Sequence, residues 1–556
     1  MRIRSATSVP GLGLFGLGMC IALAGSPLAG GAAAAAQAPD TASPVTAERL
    51  ARAADEPHNW LMYTGSYASN QYSELAQIDR SNIADMRVEW VHQFRTLSNV
   101  ETSAVVADGL MIITESPSNV IALDAATGRP FWKYTHPVPR KLSMCCGLNN
   151  RGVAILGDRV YVGTVDGRLL ALDLKTGSVV WNAEVASPGS GYSITAAPLI
   201  VKDKVITGVA GGEYGIRGFL DAYDVNTGER LWRFYTIPGE GEVGNDSWGG
   251  DSWQRGGAPT WLTGSYDPDL DLLYWGTGNP SPDWNGDVRP GDNLYANSVV
   301  ALDPENGELR WHHQFTPHDT HDWDANQTMV LIDAIIDGRP RKLLLTANRN
   351  GFYYVIDRAS GEFLRARAYA KQTWASGIDE LGRPILIPGL DPNEEGVLVY
   401  PGWTGGTNWW SPSYSRNSGL FYVRSIDAGD VYYKREEEYV EGDLYYGGTT
   451  EAADHMENVT AAIRALDPLT GDLRWEYPIT PSVSFGAGIL TTAGGVLFSG
   501  TVDGYLFALD DRNGEVLWHL STGGTAHAAP MTYSVDGRQF ISVAVQNSLL
   551  TFALPE

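Results

Sequence analysis

Cys145 and Cys146 stand side by side in Met-Cys-Cys-Gly, and Arg151 follows five residues after the second. Such a pair has two readings. Consecutive Cα atoms lie about 3.8 Å apart across a trans peptide, whereas disulfides prefer about 4.4–6.8 Å, so closing this ring imposes backbone strain of the kind that gathers at functional sites. The alternative is two reduced, buried thiols packing as small hydrophobes. Further on, His318-Asp-Thr-His-Asp322-Trp-Asp324 offers two carboxylates at a spacing of two. In an extended segment those side chains share a side and could reach one hard cation, which prefers oxygen ligands.

The compartment matters to the cysteines. Arg2 and Arg4 precede an apolar stretch from about Gly11 to Ala24, and an Ala-rich tract runs to Ala38, the pattern of a secretory leader with small residues for cleavage. Residues 1–38 therefore read as a signal peptide and its cleavage region, and 39–556 as one catalytic domain. Cys20 would leave with the leader, which reduces three cysteines to one pair. No later run supplies the about 18 uncharged apolar residues of a membrane span. The expected location is a bacterial periplasm, where disulfides persist. A net charge of −25 argues against nucleic acid, which needs clustered Lys and Arg, and suits a basic protein partner such as an electron acceptor.

The elements that must position these residues are repeats. Ala122-Leu-Asp-Ala-Ala-Thr-Gly-Arg-Pro-Phe-Trp132 returns as Ala171 to Trp181 and as Ala222 to Trp232. Further copies carry Asp303 with Trp311, Asp357 with Arg365 in the Trp place, Asp467 with Trp475, and Asp510 with Trp518. Each reads strand, Asp/Asn/Gly turn, strand. By subtraction the repeat aspartates are spaced 49, 51, 79, 54, 110 and 43 residues apart. A period near 50 indicates a β-propeller. The 110-residue gap suggests a degenerate copy near Phe421 to Tyr433, and the 79-residue gap a long insertion. Trp90 in Arg-Val-Glu-Trp-Val looks like the end of a further blade, which brings the expectation to an all-β, eight-bladed propeller. The repeat residues are structural: Asp caps the turn, Gly takes its special angle, and Trp covers the neighbouring blade. Function has to come from residues outside the repeat.

Around the doublet the chain reads Cys145-Cys-Gly-Leu-Asn-Asn-Arg151-Gly-Val-Ala, and here it resembles the quinoprotein alcohol dehydrogenases of the methanol and ethanol dehydrogenase type, which carry pyrroloquinoline quinone. The likeness runs from Asn59-Trp-Leu-Met-Tyr-Thr-Gly and Gln71-Tyr-Ser-Glu-Leu-Ala-Gln-Ile, through the Trp-ended repeats, to Thr501-Val-Asp-Gly-Tyr-Leu and Ala529-Pro-Met-Thr-Tyr. The resemblance implies a vicinal disulfide as one wall of the quinone slot, with Trp261 of Gly256-Gly-Ala-Pro-Thr-Trp as the other; a rigid indole suits a flat aromatic ligand. It implies further cofactor contacts at Glu101, Arg151, Thr195, Gly211, Gly212 and Asn408. Arg suits the quinone carboxylates because its fork can make two parallel bonds.

For the metal, the resemblance assigns Glu213 of Gly-Gly-Glu-Tyr-Gly and Asn279 of Gly-Asn-Pro as ligands, with Asp322 as ligand and catalytic base. Asp324 falls where calcium-dependent relatives have an uncharged residue and lanthanide-dependent relatives have Asp. Three carboxylates match a trivalent ion and would crowd a divalent one with repulsion, which favours a lanthanide, with calcium as the alternative. Arg349 of Asn-Arg-Asn-Gly matches a family Arg beside the reactive carbonyl. The implied reaction oxidises an alcohol. The chain holds no Cys-x-x-Cys-His haem site, so electrons are expected to pass to a separate, soluble c-type cytochrome. A homodimer is compatible with this reading.

Three features depart from methanol dehydrogenases. His321 stands where Trp is usual, Ser484-Phe-Gly-Ala-Gly replaces a Trp-bearing mouth segment, and the chain ends without their Trp- and Gly-rich tail. A more open mouth and a larger primary or secondary alcohol are expected. The insertion before Asp303 and the stretch from Lys434 to Tyr446 are candidates for the entrance. Two rivals share the repeat: a non-enzymatic scaffold of the outer-membrane assembly type, which needs neither the cysteine doublet nor the carboxylates, and a quinoprotein sugar or polyol dehydrogenase.

Overall fold

In the computed structural model of this chain, the Ala-Leu-Asp…Thr-Gly…Trp phrase forms the hairpin between the third and fourth strands of an antiparallel sheet. The structure describes residues 43–96, 98, 100–336, 338–453, 459–479 and 485–556. The expected leader at 1–38 lies outside them, as does Ser484. Eight sheets of four or five strands occur among the described residues, spanning 105–134, 154–184, 199–235, 265–314, 330–368, 413–479, 490–521, and 531–553 with 87–93. These are the eight blades of the propeller, numbered here in that order. Among the described residues, no helix is long and apolar enough to cross a membrane.

The ring closes between the two ends of the described chain. Arg87–Gln93 pairs antiparallel with Ser548–Ala553 and so completes blade 8 as its outermost strand. Within a blade, burial falls from inside to outside. Leu110–Glu115 is buried throughout, while Val179–Glu184, a fourth strand, alternates between exposed and half-buried.

Neighbouring blades are tied by the repeat tryptophans. The indole N–H of Trp132 donates to Leu174 O at 2.9 Å, that of Trp181 to Val225 O at 3.1 Å, that of Trp232 to Pro304 O at 3.0 Å, and that of Trp311 to Arg358 O at 3.2 Å. Each acceptor directly follows the repeat Asp of the next blade. The indole face lies on the turn glycine of that blade: a Cβ on Gly177 would sit 2.4 Å from Trp132, and one on Gly128 would sit 2.4 Å from Trp90. Both glycines have positive φ, so glycine is needed twice, for the turn and for the indole.

One expectation fails. No extra copy of the repeat lies at Phe421 to Tyr433. Leu420–Asp427 is the second strand of blade 6 and pairs with Thr460–Leu466, whereas Asp430–Lys434 leaves to join Val397–Val399 and Gly448–Ala452 in a separate three-stranded sheet. The 110-residue gap is one blade with insertions. The 79-residue gap does contain its long insertion, as residues 277–297 between the second and third strands of blade 4.

Candidate active site

In an antiparallel meander, the segment entering the first strand and the loop joining the second to the third lie at the same end. The residues singled out from the sequence all fall in these two places. Glu101, Cys145, Cys146, Arg151, Thr195, Trp261, Asp322, Asp324 and Asn408 lie on segments entering blades 1 to 6; Gly211, Gly212, Glu213, Asn279 and Arg349 lie on second-to-third loops of blades 3, 4 and 5. The Asp-Thr-Gly turns occupy the opposite end. Residues more than 300 apart in sequence thus share one mouth.

One half of the site is cationic and aromatic. Arg151 lies over Trp261 at 5.1 Å and over Trp409 at 5.8 Å from the ring centroids. Its guanidinium forms an ion pair with Glu101, 2.7 Å from Oε2, an oxygen that has no hydrogen-bond partner. The backbone N–H of Arg151 donates to Thr195 O at 3.1 Å, and Thr195 Oγ1 donates to Trp261 O at 3.2 Å. Asn408, whose amide donates to Thr404 O at 2.9 Å, sits on the segment that carries Trp403 at one end and Trp409 at the other.

The other half is acidic. Arg349 donates through its two terminal nitrogens to Asp324 Oδ2 and, at 3.3 Å, to Asp322 Oδ2; it also donates to Trp403 O. Asp324 Oδ1 accepts the backbone N–H of Asn279 at 2.9 Å. Cys145 and Cys146 are disulfide-bonded, and Cys145 Sγ lies 3.0 Å from Glu213 Oε1. Tied sulfurs are not thiolate ligands, so any ion here must look to oxygen.

Electrostatics mark the cluster as short of positive charge. Burial and then the Asp324 charge push Glu213 up to about 7. Burial, with the charges of Asp324 and Glu213, raises Asp322 well above the usual carboxylate range against the pull of Arg349; burial likewise raises Asp324. Burial works against the Arg349 charge, yet Asp322 and Asp324 hold its pKa above the ordinary value. Shared fields on several buried carboxylates mark a candidate functional site.

The segment holding Asp322 and Asp324 is not extended, contrary to expectation. Asp322 has φ of 60°, a region Asp tolerates. Asp319 imposes the bend by accepting the His321 N–H at 3.0 Å and the Trp323 N–H at 2.8 Å. Both carboxylates still meet Arg349. His321 stacks on Trp323 at 4.4 Å and 13° and accordingly faces the packing of the loop.

The two insertions meet beside Glu213. Trp284 N–H donates to Tyr446 O at 3.0 Å with the rings stacked at 5.1 Å, and Tyr445 N–H donates to Glu213 O at 2.7 Å. Sequence reasoning passed over Trp409, Asp319 and Asp283. Asp283 is buried, and burial followed by the charges of Asp322, Glu213 and Asp324 raises its pKa well above the usual range. Its only signal was an acid four residues past Asn279 in a Gly/Pro/Asn-rich insertion.

The residues present fit a flat anionic quinone and a metal ion. Arg151 Nε, Trp409 Nε1, Thr407 Oγ1 and Arg349 Nε are buried donors with no protein partner, the kind of donors an anion satisfies, and the carboxylates lack the charge that a cation supplies. The family profile described as "Glucose/ethanol/alcohol dehydrogenase, beta-propeller domain", of the PQQ type, matches residues 60–366 and 479–541. The chain belongs to this family of quinone-dependent dehydrogenases. It is similar to the quinohemoprotein alcohol dehydrogenase ADH IIB of Pseudomonas putida, 40% identical over 87% of this chain and 73% of that protein. It is 38% identical to the quinoprotein alcohol dehydrogenase PedH of Pseudomonas putida, over 85% of this chain and 83% of that one. The solved structure of a europium-containing methanol dehydrogenase superposes with a TM-score of 0.86 at 32% identity, covering 91% of this chain and all of that one.

Proposed function

We propose that this protein is a periplasmic dehydrogenase that oxidises an alcohol to the aldehyde or ketone, with pyrroloquinoline quinone and one metal ion at the blade mouth. The observation that carries the reading is the set of Glu213, Asp322 and Asp324 carboxylates sharing one field, two of them on Arg349, directly against the Cys145–Cys146 disulfide. A scaffold propeller has no use for buried carboxylates that cost stability.

The disulfide and the Trp261 indole would hold the quinone between them, with Arg151, Thr195, Glu101, Asn408 and the close backbone of Gly211 and Gly212 around its edge. Glu213, Asn279, Asp322 and Asp324 would hold the ion. When bound, the quinone supplies the two-electron acceptor for the hydride leaving the alcohol carbon, and the ion supplies Lewis acidity. Asp322 takes the hydroxyl proton from the alcohol. Arg349 stabilises negative charge that develops beside it, while Asp324 and Asp322 fix its two terminal nitrogens in place.

Asp324 favours a lanthanide over calcium, because a third carboxylate repels its neighbours less around a trivalent ion; the similarity to a europium-containing enzyme supports this. The net charge of −25 suits a basic, soluble cytochrome c as the electron acceptor. The test reconstitutes the protein with quinone plus lanthanum or calcium and assays a panel of alcohols with an artificial acceptor. Activity is expected, greater with lanthanum. Asp322→Asn is expected to lower kcat about 10²- to 10⁴-fold with the fold intact. Absence of activity with both lanthanum and calcium, or unchanged turnover in Asp322→Asn, refutes the assignment.

A further inference from the structure

Asp283 is an acid of the mouth that neither the sequence nor the family resemblance singled out. It sits on the 277–297 insertion of blade 4 and is 1% exposed. Its Oδ1 accepts the side-chain N–H of Asn279 at 2.9 Å. Its Oδ2 is buried with no hydrogen-bond partner. The three carboxylates whose charges bear on it are Asp322, Glu213 and Asp324, with Arg289 as the nearby cation. A buried carboxylate oxygen without a donor, in the field of three like charges, lacks its counter-ion.

Two consequences follow for Asn279. An amide can present either its oxygen or its NH₂ to a neighbour, and only the oxygen binds a cation. The Nδ2 of Asn279 also reaches Pro280 O at 3.3 Å. Both contacts are to acceptors, so the nitrogen is committed to that side. The oxygen is left for the opposite side, where it lies 3.1 Å from the place a Cβ on Gly212 would take, next to Glu213. Such outer partners commonly decide whether a ligand atom faces its metal.

Charge is the other consequence. Glu213, Asp283, Asp322 and Asp324 act on one another electrostatically, with Arg349 holding Asp322 and Asp324. Asp319, also close by, has Arg289 donating to its backbone carbonyl and in electrostatic contact with it. Four carboxylates against one guanidinium leave three negative charges, the number that a trivalent ion neutralises.

We propose that Asp283 belongs to the metal centre: it locks the Asn279 amide with its oxygen toward the ion and contributes a fourth carboxylate charge that selects a trivalent over a divalent cation. This rests on the assignment of Glu213, Asn279, Asp322 and Asp324 to a metal in the preceding section. Asp283 acts on the ion through charge and through Asn279, and is a positioning and selectivity residue.

The test titrates lanthanum(III) and calcium(II) by calorimetry into the full chain loaded with quinone and stripped of metal, so that binding is read without turnover. Asp283→Asn keeps the volume and an oxygen to accept the Asn279 N–H but removes the charge. Coulomb attraction scales with ionic charge, so a tenfold weaker calcium constant should accompany a roughly thirtyfold weaker lanthanum constant. Asp283→Leu also frees the Asn279 amide and should weaken both ions further. Far-UV circular dichroism and the thermal midpoint identify a misfolded variant, in which case the isosteric Asn variant carries the decision. Equal weakening of the two ions, or constants unchanged within about twofold, overturns the proposal while leaving the enzyme reading standing. A wild-type chain that binds neither ion overturns both.

Discussion

Replacing Glu213 by Gln should stabilise the metal-free protein at alkaline pH and abolish its response to metal. Burial and the Asp324 charge push Glu213 up to about 7 from its ordinary value of 4.5. A raised carboxyl binds its proton more tightly when folded, so its stabilising contribution is complete below about pH 4.5 and is lost as pH rises through about 7. A difference of about 2.5 pH units at about 1.36 kcal/mol each amounts to about 3 kcal/mol at pH 8. That figure is an upper bound, because Glu213 is only partly shielded at the mouth. Gln occupies the same volume without the charge. Urea denaturation of metal-free wild type and variant at pH 5 and pH 8 should show near-equal stability at the lower pH. At pH 8 the variant should be more stable by 1 to 3 kcal/mol, on the order of the linkage above. Lanthanum should raise the wild-type midpoint and leave the variant where it was. A variant no more stable than wild type at pH 8, or one that keeps its metal response, refutes the picture of Glu213 as an acid held in wait for a cation.

Other outcomes follow from the same geometry. Arg151→Met keeps the length of the side chain over Trp261 and removes its charge; losing a charged hydrogen-bond donor of about 1.5–3 kcal/mol should weaken quinone binding about 10- to 100-fold, measured by calorimetry, and unchanged affinity would remove Arg151 from the slot. Gly177→Ala should cost about 2–4 kcal/mol, since its Cβ would meet Trp132 at 2.4 Å with φ of +70°, combining backbone strain with overpacking. Gly157→Ala is its control, with φ of +61° and nothing within 4 Å, and should cost about 1 kcal/mol; equal losses in urea unfolding would deny the indole its docking role.

Much of this protein is written in contiguous stretches. The Asp-x-x-Thr-Gly turn, the alternating strands and the terminal Trp are local patterns, and their recurrence names a propeller because a turn and the residue that covers it repeat together. The cysteine doublet beside Arg151 carries the family resemblance for a similar reason: adjacent residues need no fold to be adjacent. Where the pattern was diluted by insertions it misled, as at Phe421 to Tyr433, because strand propensity alone does not say which sheet a strand joins.

The mouth itself was decided by tertiary structure. Glu101 and Asn408 are separated by most of the chain; the meander of each blade puts their connectors at one end, and closure of blade 8 through Arg87–Gln93 completes the ring that carries both. The bend at Asp322 depends on hydrogen bonds to the Asp319 carboxylate, and the field felt by Asp283 on an insertion that brings it near Glu213, Asp322 and Asp324. The sequence by itself determined the repeating unit and the kinds of groups available, since turn chemistry and residue type act within a few residues. Which of the 65 acids share a field was settled by the ring alone, because charges interact through space and burial, not along the chain.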